Sequence, residues 1–160
     1  MAAASGAIAS LLAKAWLIER ATGEAVFSLT DALMGCLSGL VSITGGCAYV
    51  ESWAAIIIGL VSGLLYLAGS HLMVRRGIDD AVDAIPIHMF SGIWGLIGVG
   101  LFAVPKYLDM SNSNATSAGL FYGDGHLLAC QLIGTVFVLG WVSVLMLPFF
   151  FVLHYMGWLR

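Results

Sequence analysis

Three carboxylates in five residues, Asp79, Asp80 and Asp83, stand immediately before an almost wholly apolar run that reaches Val104. The run is about the twenty residues an α-helix needs to cross the hydrocarbon core of a bilayer. It contains one imidazole, His88. A group able to carry a proton is costly at that depth, so it is either paired or put to use. Composition leaves no water-soluble alternative. The 160 residues are 61% hydrophobic and 9% charged, with a mean hydropathy of +1.00, whereas charged residues make up about a quarter of a soluble domain. The expected fold class is all-α, a polytopic membrane helical bundle.

Five transmembrane helices are expected in one domain, at approximately residues 2–18, 29–50, 53–74, 83–104 and 127–153. The first holds Lys14 and closes on Glu19-Arg20. It reads as a crossing helix whose lysine snorkels, or as an interfacial one. In the second, Gly35 and Gly39 stand four apart, as do Ser38 and Ser42; in the third, Ala55, Gly59 and Gly63 repeat the spacing. Small residues on one face let helix backbones approach closely in lipid, so these two segments should pack inside the bundle. Asp83 is the expected N-cap of the fourth, placing Pro86 in its first turn, and Pro105 should end it. Residues 105–125 read as a polar loop. The fifth is longer than a crossing needs, with Pro148 a place to bend and His154, Tyr155 and Trp158 an interfacial tail.

Under alternation Lys14, Arg20, Arg75, Arg76 and Arg160 fall on one side and Lys106 on the other. The positive side should be cytoplasmic. That places the N-terminus outside, the C-terminus inside and the sequon Asn114-Ala115-Thr116 in an exterior loop. Met1 to Gly6 lacks the positive stretch of a signal peptide, so the first segment reads as a mature helix or one from a longer gene. The net charge is −3 with no basic run, which removes nucleic acid as a partner. Cys36, Cys47 and Cys130 lack metal spacing and read as small packing residues. No nucleophile-base-acid set, phosphate loop or metal constellation occurs, so neither covalent catalysis, a cofactor nor a metal is expected.

His88 falls about a turn and a half into the fourth segment, with Ser91, Gly92 and Gly95 on neighbouring turns leaving room beside the ring. It is either satisfied by a neighbouring helix or part of a proton path. Asp79, Asp80 and Asp83 are a solvated helix start or a cytoplasmic vestibule that attracts cations. Thr44, beside Gly45-Gly46, either bonds back to its own helix or faces a conduit. Glu51 and Trp53 read as an exterior boundary with an interface anchor, and His71, His126 and His154 as interfacial.

The runs Gly39-Leu40-Val41-Ser42-Ile43-Thr44-Gly45-Gly46-Cys47, Val50-Glu51-Ser52-Trp53, Ile78-Asp79-Asp80-Ala81-Val82-Asp83 and Ile87-His88, then Ser91-Gly92-Ile93-Trp94-Gly95 and Gly100-Leu101-Phe102, resemble the ammonium transporter (Amt/Rh) family in order and spacing. The resemblance covers nearly the whole chain and corresponds to about the last five of the family's eleven membrane helices. It implies a plasma-membrane homotrimer in which each subunit has a narrow apolar pore for ammonium and ammonia. His88 matches the second of the family's paired pore histidines, and Thr44 a hydroxyl position near the inner part of the pore. The family's first pore histidine, exterior aromatic gate and acidic residue behind the ammonium site belong to earlier helices that this chain lacks. Ala81 and Ser52 stand where the family often has proline, Met89 where glycine commonly follows the histidine, and Met34 where a small polar residue is frequent.

The function expected is ammonium or ammonia transport through a pore wall containing His88, by a fragment not competent alone. Two alternatives are a non-transporting membrane subunit whose glycine stripes associate with full-length transporters and an unrelated small proton-coupled carrier.

Overall fold

Helices in this chain begin and stop where capping chemistry and glycine dictate. The computed structural model describes residues 1–111 and 117–158. The sequon at 114–116 and Arg160 lie outside the described residues. Helix α1 (Ala2–Thr22) runs a turn past its expected end and stops at Gly23, whose φ of 83° lets its amide close on Glu19 O. The left-handed conformation is one that glycine adopts without strain.

Ser28 caps α2 (Leu29–Thr44), its hydroxyl accepting from Asp31 N at 3.4 Å. This helix stops at Gly45-Gly46, short of the expected residue 50. The amides of Tyr49 and Val50 turn back onto Gly46 O instead. Its sixteen residues make roughly 24 Å, less than the ~30 Å of a hydrocarbon core. Four other stretches among the described residues, Ala2–Thr22, Ser52–Arg76, Ile85–Phe102 and His126–Tyr155, are long and apolar enough to cross.

Helix α3 (Ser52–Arg76) ends at Gly77, with φ 65°. After the acidic loop the chain enters a π-helical turn, Ile85–Phe90, that runs directly into α4 (Ser91–Phe102). Pro105 ends that run and also opens a short helix, α5 (Pro105–Ser111), where a loop was expected. Proline suits a first turn because its missing amide hydrogen has no partner there anyway. A single 3-10 turn at Leu120–Tyr122 precedes α6 (His126–Tyr155), which continues through Pro148.

The contact of α1 with α2 and α3 is built from small residues, and most large apolar side chains face outward. Ala2, Ser5, Gly6 and Ser10 of α1 are buried against α2 and α3. A methyl group added at Gly35 would strike Ser10 and Gly6 O; at Gly39 or Gly59 it would strike Ala2 O; at Gly63 it would strike Gly6 O. The two glycine stripes therefore serve backbone contact with α1. Leu, Ile, Val and Phe side chains are largely exposed, along α6 most of all. Apolar residues out and small residues in is the arrangement expected where the solvent is lipid.

Polar groups within the bundle are satisfied locally. Ser10 donates to Asp31 O at 2.9 Å, and Lys14 pairs with Asp31 at 3.6 Å rather than snorkelling toward Arg20. Arg20 lies over the Trp16 ring instead. Trp94 Nε1 donates to Ile58 O at 2.9 Å beside the apolar cluster of Ala54, Ile58 and Phe102. Of the cysteines only Cys36 is partly buried; Cys47 and Cys130 are exposed, so the packing role expected of all three fails for two.

Candidate functional site

The acidic loop prepares the turn that carries His88. Asp80, not Asp83, is the cap. Its two carboxylate oxygens accept from Ala84 N at 2.9 Å and Ile85 N at 2.7 Å, amides that the start of a helix leaves unpaired. Asp83 has φ 53°, outside the extended geometry of an N-cap. Its carboxylate accepts from the Tyr66 hydroxyl at 3.3 Å, and its carbonyl from Ile87 N at 3.0 Å. Asp79 is exposed. The three carboxylates thus have different jobs, although all lie at one end of the bundle.

The π-turn is gripped along one side. Pro86 and Phe90 pack against Gly69 of α3, which has no side chain to hold them off. Ser91 is buried at 0% exposure beside Ser38 of α2 and Ser62 of α3. Opposite them, His88 and Met89 are exposed, and Gly92 has open space above its Cα. The His88 ring makes no hydrogen bond among the described residues. Of the three small residues expected beside the ring, only Gly92 is on its side. Ser91 faces the packed interior, and Gly95 rests on the backbone of Ser42. π-helical turns are rare and, where they occur, are frequently at functional sites.

Thr44 is not brought to His88. It closes α2 beside Gly45 and Gly46, at the level of Val99, roughly 15 Å from His88 along the helix axis. This is the end opposite the acidic loop. Its hydroxyl donates to Leu40 O at 2.7 Å, the back-bonded alternative.

At that opposite end, Trp53 Nε1 donates to Glu51 Oε2 at 2.7 Å. Phe102 is edge-on to Trp53 and stacked on Phe121. Asp124 accepts from His126 N at 2.8 Å and Ala118 N at 3.0 Å, and these amides, His126 first, hold its carboxyl below the usual range. Burial, then the charge of Glu51, raises the Tyr122 phenol. No group of three or more His, Cys, Asp or Glu gathers among the described residues in a way that could hold a metal ion.

Sequence reasoning missed the π-turn, the capping role of Asp80, the Tyr66–Asp83 bond and the Ser38–Ser62–Ser91 cluster. Proline directly after an acidic loop was a signal for the first two. The serines are each inconspicuous in their own segments.

The family model of the Ammonium Transporter Family matches residues 1–160. Ammonium transporter 1 member 1 of Arabidopsis thaliana is 43% identical over 137 residues, 84% of this chain and 27% of that one. Ammonium transporter Amt2 of Archaeoglobus fulgidus is 37% identical over 141 residues, covering 88% and 29%. The crystal structure of Candida albicans Mep2 superposes with a TM-score of 0.85 at 26% identity, over 99% of this chain and 34% of that one. The matches cover 27–34% of the length of these relatives. Its apolar helices make it a multi-pass membrane protein. By the match along its full length, the chain belongs to the Ammonium Transporter Family.

Proposed function

We propose that this chain supplies the His88-bearing wall of a conduit for ammonium and ammonia. The observation that carries the reading is an imidazole with no hydrogen-bond partner among the described residues, held by a π-turn on the open side of an apolar helix pair. An intact ammonium ion in hydrocarbon loses its hydration and costs many kcal/mol. Ammonia crosses as a neutral molecule once a base takes the proton, and a neutral imidazole is such a base near pH 7. His88 accepts the proton at a ring nitrogen and hands it on. Asp79 and the other carboxylates of the acidic loop line the cytoplasmic vestibule. Thr44, at the far end, keeps only the role that family resemblance lends it.

Lys14, Arg20, Arg75 and Arg76 gather at the acidic-loop end, which supports a cytoplasmic placement of that end in the plasma membrane, with the N-terminus outside. A pore needs walls all round, and the exposed side of the π-turn needs further helices opposite it. The chain is therefore not competent by itself, and a homotrimer of completed subunits is the form the family likeness supports. The alternative of a non-transporting partner subunit is weakened because Gly35, Gly39, Gly59 and Gly63 are already engaged with α1.

The test replaces the matching region of the Arabidopsis transporter with residues 1–160 and scores growth on limiting ammonium in cells without their own uptake. The chimera should grow, and the chimera with His88→Ala and the chain alone should not. Equal growth with His88→Ala overturns the relay, and growth on the chain alone overturns the need for a second wall.

A further inference from the structure

Three hydroxyls from three helices meet at one point behind the π-turn. Ser38 of α2, Ser62 of α3 and Ser91 of α4 are each at 0% exposure. Ser38 Oγ lies 2.6 Å from Ser62 Oγ and 2.7 Å from Ser91 Oγ. Ser38 Oγ and Ser62 Oγ each also lie 2.8 Å from the other residue's carbonyl oxygen, so one of the two hydroxyls donates to a carbonyl while the other bridges the pair of hydroxyls. Each hydroxyl has one proton, so Ser91 donates to Ser38 Oγ or to Pro86 O, the latter 3.3 Å away within the π-turn.

Close approach alone does not call for these groups, because glycine and alanine allow it equally well. Hydroxyls add direction, since a hydrogen bond weakens steeply once its geometry is lost. Rotating α4, with the π-turn that leads into it, by one residue swings each side chain of α4 through about 100°. Such a step would take Ser91 off its partners and carry His88 toward the wall formed by Gly69 and Ser62. The clamped residues Pro86, Ile87 and Ser91 are all buried, whereas His88 and Met89 are not. One rotational setting satisfies the three serines, and in that setting the imidazole faces the open side.

We propose that Ser38, Ser62 and Ser91 are positioning residues for His88, a clamp that fixes the rotational setting of the π-turn and hence the direction of the ring. The proposal rests on the reading of His88 as the proton relay and extends it to residues that never touch the substrate.

The chain, labelled with 15N in its histidine rings and placed in phosphatidylcholine nanodiscs, reports the setting through its ring signals. His88 is assigned by loss of its signals in His88→Asn. The unaltered chain should show one set. Ser91→Ala removes one hydrogen bond and should raise the ratio of alternative to native ring setting about three- to tenfold. Ser38→Ala removes the shared hydroxyl and should raise it about tenfold or more, giving a second set of His88 signals. Ser91→Cys, which retains a donor of similar size, should restore one set. Ser42→Ala is the control: among the described residues its hydroxyl bonds to Gly39 O of its own helix, at 3.1 Å, and one set should remain. A single set in both alanine variants with helix content intact overturns the clamp, as does a second set of equal size in Ser42→Ala. Should Ser38→Ala lose its helices, Ser91→Ala decides. The readout needs no transport, so failure here leaves the relay standing, and growth without His88 leaves the clamp standing.

Discussion

Replacing Gly35 with alanine tests whether the glycine stripes exist for backbone contact. The added methyl would sit 2.6 Å from Gly6 O and 2.6 Å from Ser10 Cβ, where ordinary contact begins at 3.4 Å. Helix α1 has to recede by about 0.8 Å, because the obstacle is its backbone and cannot rotate away. Overpacking of this kind costs about 1–3 kcal/mol. Ser10 is displaced as well, and its bond to Asp31 O at 2.9 Å is worth about 0.5–1.5 kcal/mol. Alanine returns up to about 1 kcal/mol of helix propensity, which leaves a net loss of about 2 kcal/mol. Gly134 of α6 is the comparison, since a methyl added there would meet nothing within 4 Å, so Gly134→Ala should be neutral or stabilising by up to about 1 kcal/mol. Equilibrium unfolding by denaturing detergent in mixed micelles, followed by circular dichroism, measures both. Gly35→Ala matching Gly134→Ala would refute close helix contact as the purpose of the glycine.

Removing the cap with Asp80→Ala should cost about 1 kcal/mol and speed hydrogen exchange at Ala84 and Ile85 while leaving α6 unchanged. Equal exchange in the two proteins would count against the cap. Asp83→Ala loses the Tyr66 bond while leaving the Asp80 carboxylate in place, and should leave those two amides protected. The Asp124 carboxyl is held below its usual value, so its stabilising effect on residues 117–126 is full above about pH 4 and fades as pH falls through the lowered value. Exchange at the Ala118 and His126 amides between about pH 2 and 6 reads this out, and Asp124→Asn should remove the dependence. Trp94→Phe gives up the bond to Ile58 O and should destabilise the bundle by about 1 kcal/mol in the same detergent titration; an unchanged midpoint would show the bond contributes nothing net.

Membrane class, the number of apolar segments and most helix ends are legible in the sequence because they depend on neighbours along the chain. Hydropathy over a window decides what partitions into lipid. A glycine just past the last turn, as at Gly77, stops a helix wherever that helix packs, and Gly23 does the same for α1 a turn beyond its expected end. The Gly45-Gly46 pair was equally visible, and the expected end at 50 was too late because apolar character continues through Tyr49 and Val50 after the backbone has turned. His88 stood out as an imidazole in an apolar run, a chemical fact needing no coordinates.

Which face His88 occupies, which carboxylate caps the turn and which serines meet were decided only by tertiary structure. The Ser38–Ser62 and Ser38–Ser91 contacts join residues 24 and 53 positions apart, and they depend on how each helix is rotated about its own axis. The rotation of α1, α2 and α3 follows from Gly6 settling between Gly35 and Gly59, and Pro86 and Phe90 settling on Gly69 bring the π-turn to where the serines can hold it. Side-chain volume summed across three helices sets it, and no stretch of one helix contains the sum. The amino-acid sequence by itself therefore determined that an imidazole would stand within an apolar helix of a membrane bundle, and the packing of its neighbours determined which side of that helix it occupies.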